Sequence, residues 1–448
     1  MKTEKGFYRN FFSIYIMLVL QNVVTISVNL ADNVMLGGYS ETALSGVAAV
    51  NQIQFVYQQL LLALGDGLVI FCSQYWGKRQ TEPMRKISSV AMRAGLFIAV
   101  VLFAAVSLFP QRAVGLFTTE ESIIREGTAY LGIVKYTYVF FAVTIILLAT
   151  LRSVETVKIA FWLSVMAFCV NCCINYVLIY GRFGAPELGA KGAAIGTRAA
   201  RIAECAVLLV YIAKKEKKLH LQLKDYFRAD RLMAGDYFRV CLPMLVVQGL
   251  WGLNTALQTV ILGHMSAAAI AANSAASTLF LLVKSMSVGA SSTASVIVGK
   301  TIGTGNIPLV KHYSSIMQRM FVVIGLVSGL LLFLIRIPVM TLYDLSPEAM
   351  EMMNTFLIIL SVVCVGMSYQ MPTNNGIIRG GGNAMFVVKM DLVSIWMIVI
   401  PLSFAMAFVV KASPAVVVCC LNADQIFKCV PAFLESHYGN WIRKLTRE

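Results

Sequence analysis

Charge is what this 448-residue chain has least of. Asp, Glu, Lys and Arg together make up 13% of it, while 58% is hydrophobic; a soluble domain usually carries about 25% charged residues. So little charge cannot cover a water-facing surface. The apolar runs of about 20 residues that recur along the chain are each long enough to cross a bilayer. The alternating apolar/polar pattern of an outer-membrane barrel is missing. Histidine is scarce as well. His220, His264, His312 and His437 stand far apart in sequence, without metal-ligand spacing, and no nucleophile–base pattern accompanies them, so nothing points to an enzyme. GKT at 299–301 ends like a phosphate-binding loop, but Ala294 occupies the position that the motif requires to be Gly, and an apolar helix precedes it instead of a strand. Nucleotide-driven chemistry is therefore not expected. No small-residue cleavage site follows the first apolar run, which is expected to stay as a helix. Cysteine is not scarce: there are ten, among them Cys169, Cys172, Cys173, Cys419 and Cys420. Nearly all lie within apolar runs, where a thiol serves as a small apolar side chain.

What is present is a polytopic, all-α integral membrane protein. The apolar runs predict twelve spans near 12–36, 46–75, 88–110, 129–151, 159–180, 190–213, 238–263, 274–298, 314–336, 353–374, 386–410 and 414–434. The longest polar stretch, Lys214 to Asp236, divides them into two groups of six. The organisation expected is an N-terminal six-helix lobe over 1–213, a cytoplasmic linker over 214–237, a C-terminal six-helix lobe over 238–436 and a basic tail over 437–448. The net charge of +15 would suit nucleic acid, but its distribution suits a membrane better. Lys78, Arg79, Arg85, Lys86, Arg152, Lys158, Lys300, Lys311, Arg319, Arg379, Lys389, Arg443 and Arg447 fall on one set of connections together with the linker. Glu41, Glu120, Glu121, Glu126, Glu187, Asp344, Glu348 and Glu351 fall on the other. By the positive-inside rule both termini and the linker are cytoplasmic, in a plasma membrane.

The two halves repeat. With a shift of 226 residues, VMLGGYS at 34–40 falls on VILGHMS at 260–266, and SQYWGKRQ at 73–80 falls on GKTIGTGN at 299–306; a shift of 227 brings LRSVET at 151–156 onto IRGGGN at 378–383. Both halves start on the same side of the membrane, a parallel repeat of the kind found in two-bundle transporters.

Polar residues within the spans form stripes. Asn22, Thr25, Asn29 and Asp32 fall at i, i+3, i+7 and i+10, one face of a helix. A carboxylate at the centre of a membrane helix costs roughly 2.5–3.5 kcal/mol on insertion scales and is a functional-site candidate by default. The repeat maps this stripe onto Gln248, Trp251, Thr255 and Gln258, so the second half keeps a polar face and replaces the acid with an amide. Gln52, Gln59 and Asp66 are spaced by seven on the second span; they read either as cavity lining or as hydrogen-bonding groups between helices. Asn171 and Asn175 lie one turn apart on the fifth span, and two amide oxygens at that spacing suit either a hard-cation site beside a carboxylate or a helix–helix hydrogen bond. The sixth span opens with GAKGAAIGTR, whose small residues permit close packing and which includes the hydroxyl of Thr197. Arg201 and Glu204 are placed to pair within it. Lys135 and Lys284 also lie within apolar spans; Lys135 can snorkel outward, whereas Lys284 calls for a partner or a wet cavity.

Taken together, DNVMLGG ending the first span, SQYWGKR after the second, LRSVETVK after the fourth, GAKGAAIGTRAARIAE in the sixth, IIRGGGN after the tenth and DLVSIWMIVIPLSF in the eleventh resemble the multidrug and toxic compound extrusion (MATE) transporters. The resemblance covers nearly the whole chain. It implies twelve helices in two six-helix lobes forming a V, and secondary active export of amphipathic or cationic compounds in exchange for Na⁺ or H⁺, with no cofactor and no enzymatic activity. By position, Asp32, Asn171, Asn175 and Thr197 resemble the N-lobe cation site of some members, with Asn175 standing where those carry Asp. The stretches around Gln258 and Ser368 lack the helix-seven and helix-ten acids of other branches. Asn29, Gln52, Gln59, Asp66, Gln248, Thr255 and Gln258 are then expected to line the substrate cavity. The partners expected are a small molecule and the lipid bilayer, not nucleic acid, with the chain acting as a monomer. The alternatives are a flippase for a lipid-linked saccharide on a related fold, with Arg198, Arg201 and Lys284 as its cations, or a membrane-embedded lipid-modifying enzyme.

Overall fold

The computed structural model describes all residues except Met1, 223–224, 227–229, 342–345 and 447–448. Parts of the 214–237 linker, together with Asp344 and Arg447, thus lie outside the described residues. Among the described residues the chain is helical, with no strand beyond an isolated bridge between Gly382 and Ile442. Ten helical stretches are long and apolar enough to cross a membrane. They are α1 (Lys2–Gly37), α2 (Glu41–Gly77), α3 (Thr81–Leu108), α7 (Lys158–Ile179), α9 (Arg231–Gly263), α10 (Ala267–Gly303), α11 (Ile307–Met340), α12 (Pro347–Met371, running on to Ile378), the run from α13 (Ala384–Asp391) through α14 (Ile400–Phe404) to Val409, and the run from α15 (Pro414–Leu421) through α16 (Asp424–Phe427) to α17 (Cys429–Tyr438). After α3 comes the short α4 (Pro110–Gly115). An eleventh crossing is the pair α5 (Glu121–Val134) and α6 (Thr137–Ser153), bent by 57° at Lys135–Tyr136. The twelfth, α8 (Ala190–Lys215), has 26 residues, about 39 Å of helix, but Lys191, Arg198, Arg201 and Glu204 dilute its apolar character.

Local chemistry sets the boundaries. Ser266, Asn306 and Ser346 accept the amides of Ala269, Leu309 and Ala349 and so cap α10, α11 and α12. Pro347 and Pro414 occupy first-turn positions, where the missing N–H costs nothing. Pro372–Ile378, Leu392–Val399 and Ala405–Val409 are wound as wide π turns, which re-aim side chains without breaking a span. The outward faces are apolar: Phe97, Leu108, Val323, Leu334 and Met397 are among the most exposed side chains, as expected where the solvent is hydrocarbon.

The chain forms two compact units, Leu20–Cys72 with Gln80–Cys241, and Met1–Val19 with Ser73–Arg79 and Leu242–Glu448. In the first, Leu61, Leu64, Ala142 and Ile146 are buried, and the Tyr57 hydroxyl donates to the Tyr138 carbonyl at 2.7 Å. In the second, Phe7, Phe11 and Tyr15 of α1 pack with Ala290, Ala294, Ile297, Phe321 and Trp441. The polar connection before α9 packs on α3: Arg93 donates to the Tyr226 carbonyl at 2.9 Å, and Lys86 stands 3.6 Å from Asp230. Burial pushes the Tyr226 phenol up to about 12. Asp230 caps α9 by accepting the amides of Leu232 and Met233, each at 3.1 Å; the Met233 amide, followed by Lys86, holds its carboxyl below the usual range.

Asp230→Ala is expected to cost about 1 kcal/mol of stability, read as a lowered thermal midpoint in detergent. The lowered carboxyl makes this contribution present at neutral pH, above the unfolded-state value, and lost as pH falls through the folded-state value. The difference between parent and variant should therefore shrink in acid; a difference that is constant with pH would contradict the assignment.

Candidate functional site

The site builds up from α1, α7 and α8 within the first unit. Asn175 donates its Nδ2 to Asp32 Oδ1 at 2.6 Å and to Asn171 Oδ1 at 3.2 Å, and Asn171 Nδ2 donates to Thr197 Oγ1 at 3.4 Å. One carboxylate, two amides and a hydroxyl from three helices thus form a continuous chain. Asn171 and Asn175 are fully buried and Asp32 is partly so. The Oδ1 of Asn175 is buried against Gly196 without a hydrogen-bond partner, an unusual state for a polar oxygen. Tyr130 of α5 approaches Thr197 and Gln54, and Arg201 lies within electrostatic reach of Asp32.

Glycine makes this packing possible. A Cβ at Gly196 would fall on the Asn175 Oδ1 and lie close to the Asn171 carbonyl, and one at Gly192 would strike the backbone at Leu178. The small residues at the start of α8 therefore let α7 lie against it at backbone distance, which brings Thr197 to Asn171.

The remaining polar candidates are placed differently. Asp66 accepts Arg152 of α6 at 2.8 Å, so its charge is compensated inside the first unit. Arg201 pairs with Glu204 at 2.9 Å, as their spacing predicts, and stacks over Phe141. Asn29 and Gln52 are exposed and Gln59 is partly so. In the second unit Gln248 is partly exposed, Thr255 donates back to the Trp251 carbonyl at 3.1 Å, and Gln258 reaches Asn254 at 3.5 Å. The second unit also holds a cluster that no stripe foretold. Lys428, 3% exposed, donates to both Asp391 and Asp424 at 2.9 Å. From there amides continue through Gln425 and Gln370 to Asn374. Among the described residues no group of three or more His, Cys, Asp or Glu could hold a metal ion. Tyr130, Gln54 and Lys428 escaped the sequence reading because each acts across helices, where spacing along one helix is silent.

The family model for MatE proteins matches the chain twice, over residues 18–177 and 243–405. The matches start 225 residues apart and end 228 apart, bracketing the shift read from the sequence repeat. A probable multidrug resistance protein NorM of Thermotoga maritima is 24% identical, covering 96% of this chain and 92% of its own length. An uncharacterised transporter, YisQ, of Bacillus subtilis is 23% identical over 84% and 82%. Among solved structures, an outward-facing multidrug resistance MATE transporter of the MOP superfamily superposes with a TM-score of 0.86 at 17% identity, over 95% and 94% of the two chains. The eukaryotic MATE transporter AtDTX14 does so with 0.83 at 18%, over 97% and 96%. At these identities the structures speak for the fold, two homologous six-helix halves, and the family match carries the rest: the chain belongs to the multidrug and toxic compound extrusion family and is a multi-pass membrane transporter, not an enzyme.

Proposed function

We propose that the protein is a secondary active antiporter that exports amphipathic, often cationic compounds in exchange for Na⁺ or H⁺, with the ion taken up at Asp32, Asn171, Asn175 and Thr197. The observation that carries this reading is one carboxylate joined by a hydrogen-bond chain to two buried amides and a hydroxyl, one of whose amide oxygens is unpartnered. A lone acid in a low-dielectric site favours its neutral form, and a bound cation favours its ionised form, so proton and Na⁺ exclude each other at one carboxylate. Inward movement of one elementary charge supplies about 2.3 kcal/mol per 100 mV. Both termini and the 214–237 connection would face the cytoplasm across a plasma membrane. The lobes would span 1–213 and 238–436, followed by the 437–448 tail, and the chain would act as a monomer with no cofactor beyond the coupling ion. Asn29, Gln52, Gln59, Gln248, Thr255 and Gln258 would contribute polar contacts for the exported compound. Asp66 would serve through its pair with Arg152. The relatives named as multidrug resistance proteins support the substrate class.

The test is efflux of a fluorescent cationic dye from proteoliposomes under separately imposed Na⁺ and pH gradients. The parent protein should respond to one gradient, and Asp32→Asn should lose that response; an Asp32→Asn variant that transports as well as the parent would sink the reading. Gly196→Ala should reduce transport by about tenfold or more with helicity preserved by circular dichroism, because its methyl pushes the Asn175 amide off Asp32. Asn175→Asp adds a second carboxylate and should tighten Na⁺ binding by about tenfold, measured by isothermal titration; unchanged binding would remove Asn175 from the ion's surroundings.

A further inference from the structure

Lys284 is an intramembrane cation that the ion-coupling site leaves unexplained; unlike Lys135, which the bend between α5 and α6 carries over Phe103 and Tyr136, it stands within an unbroken helix. It stands near the middle of the 37-residue α10, at least about 25 Å of helix from either end, so its stem reaches neither end. Its ammonium lies over the Trp251 ring of α9, 5.0 Å from the centroid. Among the described residues no carboxylate pairs with it. Asp424 attracts it through space, but that carboxylate is committed to Lys428 and Gln425, each at 2.9 Å. Three other intramembrane cations behave differently. Arg152, Arg201 and Lys428 each hold a carboxylate at 2.8–2.9 Å. An amine kept inside the second unit with an indole face as its close contact has hydrogen-bond donors to spare. Trp251 is itself partly exposed, and the face of α9 that it shares with Thr255 is open.

We propose that Lys284 and Trp251 form a recognition site for an organic anion: the ammonium receives a carboxylate or sulfonate, and the indole packs against the apolar or aromatic body that carries it. The class of exported compound then includes amphipathic anions. A ligand anion meets the ammonium where no carboxylate among the described residues touches it, whereas a cation at the same place meets repulsion. The inference rests on the efflux reading only for the direction of transport.

The experiment is equilibrium binding to the full-length protein in nanodiscs, with empty nanodiscs as the partition blank. Two probes of matched shape and opposite charge are used, pyrenesulfonate and pyrenylmethyl-trimethylammonium. The parent should prefer the sulfonate. Lys284→Met should weaken the sulfonate by about tenfold or more and leave the ammonium probe unchanged or tighter. Lys284→Arg, which keeps the charge, should retain the sulfonate preference, and Trp251→Leu should weaken the sulfonate several-fold. Equal affinity of parent and Lys284→Met for the sulfonate, or loss of the preference in Lys284→Arg, overturns the proposal. Cationic-dye efflux is read in parallel. Its absence with charge-selective binding intact removes the efflux reading and leaves the site, whereas its presence without charge selectivity at Lys284 removes the site alone.

Discussion

In a bilayer each charge must find its counterpart inside the protein, because there is no water to supply one. Much of this structure is arranged around that demand. Asp66 takes Arg152, Glu204 takes Arg201, and Asp391 and Asp424 share Lys428. The first two pairs balance their own charge, and the Lys428 cluster keeps one carboxylate in excess, which is the charge that attracts Lys284. Asp32 is treated differently. Its closest donor is a neutral amide, Asn175 at 2.6 Å, which orients the carboxylate without neutralising it. Under the proposed function, that leaves the charge of Asp32 for an ion that comes and goes. The nearest cation, Arg201, is already engaged by Glu204, so it attenuates the demand at Asp32 without meeting it.

The repeat sharpens this contrast. The family model matches both halves, yet the two units use their common helices differently. The stripe that carries Asp32 in α1 carries Gln258 at the matching place in α9, where the amide is satisfied by Asn254 one turn away. The second unit puts its charge elsewhere, in the Lys428 cluster, which is closed on itself. The two halves share one topology, and among the described residues one carries an acid, Asp32, and the other an ammonium, Lys284, outside any ion pair.

How much of this was legible depended on whether an interaction lies within one helix or between two. The Asn22–Asp32 stripe, the one-turn spacing of Asn171 and Asn175 and the Arg201–Glu204 pair are all statements about a single helix, where a period of 3.6 residues reads directly from the sequence. Joining Asp32 to Asn175 required crossing 143 positions, and there the resemblance supplied what spacing could not. Asp66 with Arg152 and Asp391 with Lys428 had no such help. Tyr130 lies in an apolar span, and Gln54 lies off the face shared by Gln52 and Gln59. The bend at Lys135–Tyr136 follows Gly132 by three residues, and Pro401, two residues past the π turn over Leu392–Val399, has no N–H for the carbonyls before it.

Asn175 is the residue on which the economy of the proposed ion site turns. Were it an acid, the cluster would carry two negative charges, and a single Na⁺ or proton would leave one uncompensated in a medium where an unpaired charge is expensive. With an amide there, one elementary charge renders Asp32, Asn171, Asn175 and Thr197 neutral as a group. The amide oxygen still offers a ligand to a hard cation, while its nitrogen holds Asp32 in place until the cation arrives. A proton satisfies the carboxylate alone and leaves the Asn175 oxygen unpartnered, whereas Na⁺ would engage both. Under this reading the difference between the two coupling ions reduces to whether that one buried oxygen is used.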